Sequence, residues 1–499
     1  MDDILLIPVA ILYLVVVGLL FLYGINFFYL TYLAWKNGKR TLPVQSLDHF
    51  PRVTVQLPIY NEMYVAERLI EASAHLNYPA DRLEIQVLDD STDGTQEISA
   101  AAVERLRQSG TNIHLIKRLN RQGYKAGALA HGLETASGEF LAIFDADFIP
   151  VADFLKRTLP HFSDSRVGFV QARWGHTNQD YSLLTWMQSL AVDAHFMVEQ
   201  FARSQGGYWF NFNGTAGVWR RSALEDSGGW RADTLTEDLD LSYRAFLRGW
   251  RAEYLREVRV PAELPVSISA YRRQQHRWAR GSLECAVKFL PLVWKAPISL
   301  GGKLEATLHL TGYGVHLLLF ALAILYPLVL VLSRDYANLI SLFGIAFIFN
   351  ATAFAPTLFF ILAQKQLGEY WWKKLPICVL ISAFGAGMML NTVRAAVQIL
   401  LNQPGTFERT PKFGILYKCQ DWTNSRYQIQ LDPISYFELA FAVVNAGTVG
   451  LAIALGNWAI GIYAALFTLG LLFISGLSIY QSIAVQRHIQ EGKRSIIQQ

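Results

Sequence analysis

Arg52-Val-Thr-Val-Gln-Leu-Pro58, Leu83-Glu-Ile-Gln-Val-Leu88 and Phe140-Leu-Ala-Ile-Phe144 are short runs of strand-forming residues. Each is followed by a polar cluster: Tyr60-Asn61-Glu62, Asp89-Asp90-Ser91 and Asp145-Ala146-Asp147. Helical patterns follow the first two, over Val65 to His75 and Thr95 to about Ser109. The segment therefore reads as a βαβα series and predicts an α/β fold built on a largely parallel sheet. Ligands in such sheets bind beyond the carboxyl ends of the strands, which is where the three polar clusters fall.

The residue types there suit a phosphorylated ligand. An Asp-x-Asp pair in extended chain puts Asp145 and Asp147 on one side, so two oxygens approach one hard cation, Mg²⁺ or Mn²⁺, and through it a diphosphate. The run Asp89-Asp90-Ser-Thr-Asp-Gly94 is also good turn and N-cap chemistry. Farther on, Thr236-Glu237-Asp238 opens a helix carried by Leu239, Leu241 and Tyr243. A carboxylate at that place either caps the helix or acts as a general base on an attacking sugar hydroxyl. Gln274-Gln-His-Arg277-Trp278, with Arg272, Arg273 and Arg280 around it, again has two readings. It is a basic helix lying on a membrane surface, or Arg277 grips a diphosphate, Trp278 stacks on a sugar face and Gln274 orients them.

The whole chain sets the context for these motifs. Its 499 residues are 52% hydrophobic and 17% charged, with a mean hydropathy of +0.23. That balance excludes disorder, a small disulfide scaffold and a purely soluble protein. A net charge of +4 gives no field for nucleic acid. Cys285, Cys378 and Cys419 are too few and too scattered for a disulfide framework or a zinc ligand set, and are expected to be isolated thiols.

Ile4 to Trp35 is long and apolar enough to span a bilayer, and Lys36, Lys39 and Arg40 follow it, which puts the N-terminus outside and the next residues in the cytosol. From Arg52 to about Val287 no segment can span, so a cytosolic domain is expected over 50–290. Beyond it, apolar runs cover 305–332, 337–363, 375–401, 434–455 and 458–482. If all five crossed, the basic loop 402–433 and the tail with Arg487, Lys493 and Arg494 would lie outside, against the positive-inside rule. The run 375–401 is the odd one: its apolar part ends at Leu390, it carries Gly385 and Gly387, and Arg394 and Gln398 follow. It is therefore expected to be interfacial or re-entrant. That leaves an N-terminal span in 1–40, four spans within 291–486, a cytosolic 402–433 loop and a cytosolic tail at 487–499. Oligomeric state leaves no trace in the sequence.

Asp89-Asp90, Asp145-x-Asp147, Thr236-Glu-Asp238 and Gln274-x-x-Arg-Trp278, in that order, resemble the processive inverting family-two glycosyltransferases that include cellulose, chitin and hyaluronan synthases. Val55-Gln-Leu-Pro-Ile-Tyr-Asn-Glu62, Gly123-Tyr-Lys-Ala-Gly-Ala-Leu129 and Phe212-Asn-Gly-Thr-Ala-Gly-Val-Trp-Arg220 look like the cellulose synthase-like mannan and glucan synthases. The resemblance implies an A-type, Rossmann-like glycosyltransferase domain inserted between transmembrane helices of a bacterial inner membrane or its equivalent. It implies transfer of hexose from UDP-glucose or GDP-mannose to a β-linked glycan, with β-1,4 linkage. By it, Asp89 or Asp90 holds the nucleotide base, Lys125 approaches the diphosphate, and Asp145 and Asp147 serve nucleotide and metal. Asp238 is then the catalytic base. Phe212, Asn213, Gly214 and Thr215 form an acceptor-side floor, with Trp278 at the mouth of the glycan channel. Gln403 to Gly414 resembles a gating loop carried by Phe407, Arg409, Thr410 and Lys412. A single-addition glycolipid transferase acting on ceramide or diacylglycerol would show the same carboxylates. A non-catalytic membrane scaffold is disfavoured because every carboxylate is present. Of Trp174, Trp209, Trp219 and Trp278, the last is the expected sugar-stacking ring.

Overall fold

The computed structural model describes residues 2–40, 49–333, 351–423, 426–427 and 430–497. Seven strands form one sheet in the order β3-β2-β1-β4-β6-β5-β7. They are β1 Val53–Ile59, β2 Leu83–Asp89, β3 Ile113–Ile116, β4 Phe140–Ile143, β5 Val167–His176, β6 Gly217–Arg220 and β7 Arg251–Ala262. The half from β3 to β4 is parallel, whereas β6 runs against both β4 and β5. The sheet is thus α/β and mixed, with the three strands read from sequence at its centre. β1 is buried on both faces, as parallel strands usually are. Its two inward polar residues are matched by their register partners: Thr54 donates to Glu84 at 2.7 Å and Gln56 to Gln86 at 3.0 Å.

Among the described residues, five helical segments, Ile7–Lys36, Gly314–Leu332, Trp371–Leu400, Ile434–Ala454 and Trp458–Arg487, are long and apolar enough to cross a membrane, the signature of an integral membrane protein. The expected run 305–332 is two helices, Leu300–Leu310 and Gly314–Ser333, because the chain turns at Thr311-Gly312-Tyr313 between them. The expected run 337–363 lies partly outside the described residues, and its later part is the helix Ala355–Gln366. The run 375–401 breaks at Met388 into Leu375–Gly387 and Met389–Leu400. Its glycine is a packing device: a Cβ on Gly387 would stand 2.4 Å from the carbonyl oxygen of Gly470 on the last helix, so only glycine lets these backbones approach.

Helix Ile268–Lys295 ties the sheet domain to the apolar helices. Arg272 is almost fully buried rather than laid on a lipid surface. It pairs with Glu438 at 2.7 Å and donates to Ser435 and Ser478, each at 3.0 Å. The surface-anchor reading of this basic stretch fails at Arg272, whose charge is spent inside the protein.

Candidate active site

The fold gathers the polar clusters at one edge of the sheet. β4 ends at Ile143, and Asp145 and Asp147 follow. Because β6 is antiparallel, its start lies at the same edge: Ile143 pairs with Gly217, and the Asp145 N–H donates to Thr215 Oγ1 at 2.9 Å. The Phe212–Thr215 turn is thereby brought beside Asp145. Lys125, in the first turn of helix Tyr124–Thr135, reaches across both. Its Nζ is 2.6 Å from Asp145 Oδ1 and 3.6 Å from Glu237 Oε1, and it donates to Gly214 O at 3.0 Å. Burial disfavours the Lys125 charge, but Asp145 and Glu237 outweigh it and raise its pKa. Asp145 is itself pushed up by burial, against the pull of Lys125.

Asp238 lies in the first turn of helix Glu237–Leu247. Its Oδ1 accepts the Leu239 N–H at 2.8 Å, so helix-end chemistry occupies one oxygen only. Oδ2 faces Gly214, where a Cβ would come within 3.0 Å of it. The same helix fixes the turn opposite, since Ser242 Oγ donates to Asp238 O at 2.6 Å and accepts the Phe212 N–H at 2.9 Å. Burial first, then the neighbouring Glu237 charge, push the Asp238 carboxyl up to about 7 against the pull of Lys125. A half-buried carboxyl poised near neutrality is suited to taking a proton.

Helix Ile268–Lys295 backs this arrangement. A Cβ on Gly281 would lie 2.5 Å from both Oγ1 and Cγ2 of Thr236, and Glu284 Oε2 accepts the Leu235 N–H at 2.8 Å. Gly281→Ala is expected to push the Thr236–Asp238 segment outward by more than about half an ångström and slow turnover at least about tenfold, with donor affinity little changed. Initial rates alongside calorimetric donor titration check this. One turn earlier on the same helix, Arg277 stands 4.5 Å from the Phe407 ring centroid and donates to Glu408 O at 3.1 Å. Trp278 packs 6.4 Å from Trp174, which also touches Phe148 and Phe196. Gln274 is half-buried one turn before Trp278.

The loop 403–414 lies over the same edge. Lys412 Nζ is 2.7 Å from Asp147 Oδ2 and also donates to Glu263 O. Arg409 pairs with Glu62 at 3.3 Å and lies 3.9 Å from the Tyr427 ring centroid. Phe407 stacks on Tyr124 with centroids 5.6 Å apart, and Thr410 is buried with no partner for its hydroxyl among the described residues. Glu263 takes the Phe413 and Gly414 N–H groups on its two oxygens, each at 2.9 Å. Burial pushes Glu62 up to about 8 against the pull of Arg409. Glu263 had escaped the sequence reading because a single acid after β7 belongs to no pattern. Glu62 stood in the first polar cluster, but its partner is 347 positions away.

Several expected roles change in position. The Phe212 ring is fully buried among Phe169, Trp219 and Trp230, so it cannot face an acceptor. Thr215 is buried too, with its hydroxyl spent on Asp145 N–H, and Gly214 is buried beside it, which leaves the half-buried Asn213 as the accessible part of that floor. Trp219 is a core residue and no candidate for sugar stacking. Asp90 is taken by the Arg118 guanidinium, through Nε at 3.0 Å and through Nη2. Asp89 is buried; its Oδ1 accepts the Ser91 N–H at 2.8 Å while its Oδ2 has no partner among the described residues. Cys285, Cys378 and Cys419 are free thiols.

Among the described residues no group of three or more His, Cys, Asp or Glu could hold a metal by itself. Asp145 and Asp147 fit a cation that keeps most of its ligands from a diphosphate and water, the habit of Mg²⁺. Lys125 and Lys412 already balance these two carboxylates, which shows that the site attracts positive charge.

Residues 51–281 match the family described as glycosyltransferase like family 2. Over 253 residues the chain is 46% identical to glucomannan 4-beta-mannosyltransferase 1 of Oryza sativa subsp. japonica, covering 50% of this chain and 49% of the rice protein. It is 47% identical over 237 residues to glucomannan 4-beta-mannosyltransferase 9 of Arabidopsis thaliana, covering 46% of this chain and 44% of that one. The chain thus spans about half the length of the curated relatives it matches. A solved mannosyltransferase, PcManGT from Pyrobaculum calidifontis in complex with GDP-Man and Mn²⁺, superposes with a TM-score of 0.53 at 23% identity, covering 79% of this chain and 100% of that one. That likeness shows a shared fold. Residues 51–281 thus form a domain that matches glycosyltransferase like family 2 and is similar in sequence to plant glucomannan 4-beta-mannosyltransferases.

Proposed function

We propose that the chain is a membrane-embedded inverting hexosyltransferase that extends a β-linked glycan, with β-1,4 linkage, and carries the product across the bilayer. The observation that supports it most is the meeting of Asp238 Oδ2, Gly214, Lys125 and Asp145 at one strand edge. GDP-mannose is the favoured donor, from the names of the relatives, and UDP-glucose the other.

In this reading Asp238 accepts the proton of the acceptor hydroxyl as its oxygen bonds to the anomeric carbon. The bond from that carbon to the diphosphate oxygen breaks, the diphosphate leaves with the electron pair, and the α-linked donor becomes a β-glycoside. Lys125 and Arg277 hold the leaving diphosphate by charge-assisted hydrogen bonds. A divalent cation, Mg²⁺ or Mn²⁺, held by Asp145 and Asp147 supplies further neutralisation of that charge. Asp89, whose Oδ2 is buried with no partner among the described residues, suits a donor N–H of the nucleotide base better than Asp90, which Arg118 occupies. Trp278 offers its face to the acceptor sugar. The loop 403–414 closes over the nucleotide through Phe407, Arg409, Thr410 and Lys412. For the loop to reach this edge it must share a compartment with the 50–290 domain, and positive-inside makes that compartment the cytosol, with the N-terminus outside.

The test is to supply purified full-length chain with divalent metal and radiolabelled GDP-mannose or UDP-glucose, then separate polymer from lipid-soluble label. Metal-dependent polymer is expected with one donor. Label confined to lipid would replace this reading by single-addition glycolipid transfer, and no label with either donor would overturn the transferase reading.

A further inference from the structure

Helix Leu183–Ala194 runs on into Phe201–Gln205 through a π-helical turn, His195–Gln200. Such turns insert a residue, re-aim side chains and recur at functional sites. This one brings His195 and Glu199 against the turn that carries Asn213. His195 Nδ1 is 2.9 Å from Glu199 Oε2, and His195 Nε2 is 3.3 Å from Asn213 Nδ2.

The directions of these bonds are fixed by their neighbours. Gln200 Nε2 donates to Asn211 O at 3.3 Å and to Asn213 Oδ1 at 2.8 Å, which sets the Asn213 amide with its NH₂ towards His195. His195 Nε2 must then accept, so the imidazole proton sits on Nδ1 and is donated to Glu199. Burial opposes a charge on Glu199, but the His195 hydrogen bond and Arg203 hold its pKa well below the usual carboxylate range. Arg203 is anchored in turn on Glu305 at 2.8 Å. This is no sealed core: the side chains of His195 and Glu199 keep 32% and 25% of their exposure.

We infer that His195, oriented by Glu199, is a positioning residue that holds the Asn213 carboxamide for recognition of the acceptor sugar. Among the described residues, the network leaves Asn213 one amide hydrogen and one carbonyl lone pair uncommitted. A sugar hydroxyl both donates and accepts, so an amide with one free donor and one free acceptor suits it. Asn213 directly precedes Gly214, the residue that faces Asp238 Oδ2, so a hydroxyl read by Asn213 is held beside the base. The inference rests on the hexosyltransferase reading and names the part of the site that takes the acceptor.

The test compares wild type, His195→Ala, His195→Gln and Glu199→Gln as full-length protein with metal and GDP-mannose or UDP-glucose. Three quantities are read: donor affinity, hydrolysis of the donor by water, and transfer to a β-linked hexose tetrasaccharide. His195→Ala is expected to lower transfer at limiting acceptor at least about tenfold, mainly through the acceptor KM, while donor affinity and hydrolysis stay within about twofold. His195→Gln, whose carbonyl can accept from Asn213, should recover most of the loss. Equal loss of hydrolysis and transfer in every variant, or no loss at all, overturns the inference while the transferase reading stands. A wild type with neither hydrolysis nor transfer overturns both.

Discussion

Asp238→Asn is expected to lower hexose transfer about a thousandfold, with donor affinity within about twofold of wild type. The substitution is isosteric, and the amide oxygen can still accept the Leu239 N–H, so the helix start and the Gly214 contact survive. What disappears is the oxygen proposed to take the acceptor proton. The wild-type pH profile follows from the same group. Burial and Glu237 push its carboxyl up to about 7. Since only the deprotonated form is a base, the rate should climb as pH rises through that value and level off above it. The residual rate of Asp238→Asn should lack that limb. Initial rates of labelled transfer across pH, with donor binding measured separately, check both statements. A variant that keeps the limb would assign it to another group.

The carboxylates of the site were legible because each sits at the end of a strand or the start of a helix, where local pattern and chemistry coincide. Asp145 and Asp147 follow β4 directly, and Asp238 opens the helix Glu237–Leu247. The partners of these residues were legible only through the family resemblance, not from local pattern. Lys125 meets Asp145 only because helix Tyr124–Thr135 starts at the same sheet edge, and Phe212–Thr215 arrives there only because β6 is antiparallel. Strand direction is a property of pairing, and the four residues Gly217–Arg220 carry no sign of which way they will run. The same limit explains Phe212. Its place in a motif suggested a ligand contact, but a large ring beside Phe169 and Trp219 gains more by burial than by facing water. In the apolar half, hydropathy located the segments and missed their breaks. Thr311-Gly312-Tyr313 and Met388 interrupt helices inside runs that hydropathy joins into one, because a turn needs only a few local hydrogen bonds to be satisfied.

Gly214→Ala should be nearly as damaging as loss of the base, although it removes no chemical group. Gly214 has a φ of +78°, a region that L side chains enter only at a cost of about 1–2 kcal/mol. That strain alone would be tolerable. The larger effect is where the methyl would go: 3.0 Å from Asp238 Oδ2 and 3.3 Å from Lys125 Nζ. Neither group can retreat freely, since Asp238 is tied to the Leu239 N–H and Lys125 bridges Asp145 and the Gly214 carbonyl. The proposed base and the lysine proposed to hold the diphosphate would both be displaced, and a shift of about 1 Å in such groups costs on the order of a hundredfold in rate. Because both displaced residues are needed, donor affinity should weaken along with turnover, unlike in Asp238→Asn, where it is retained. Transfer rates and donor titration on the two variants side by side measure this contrast, and donor binding unchanged in Gly214→Ala would show that Lys125 does not reach the diphosphate.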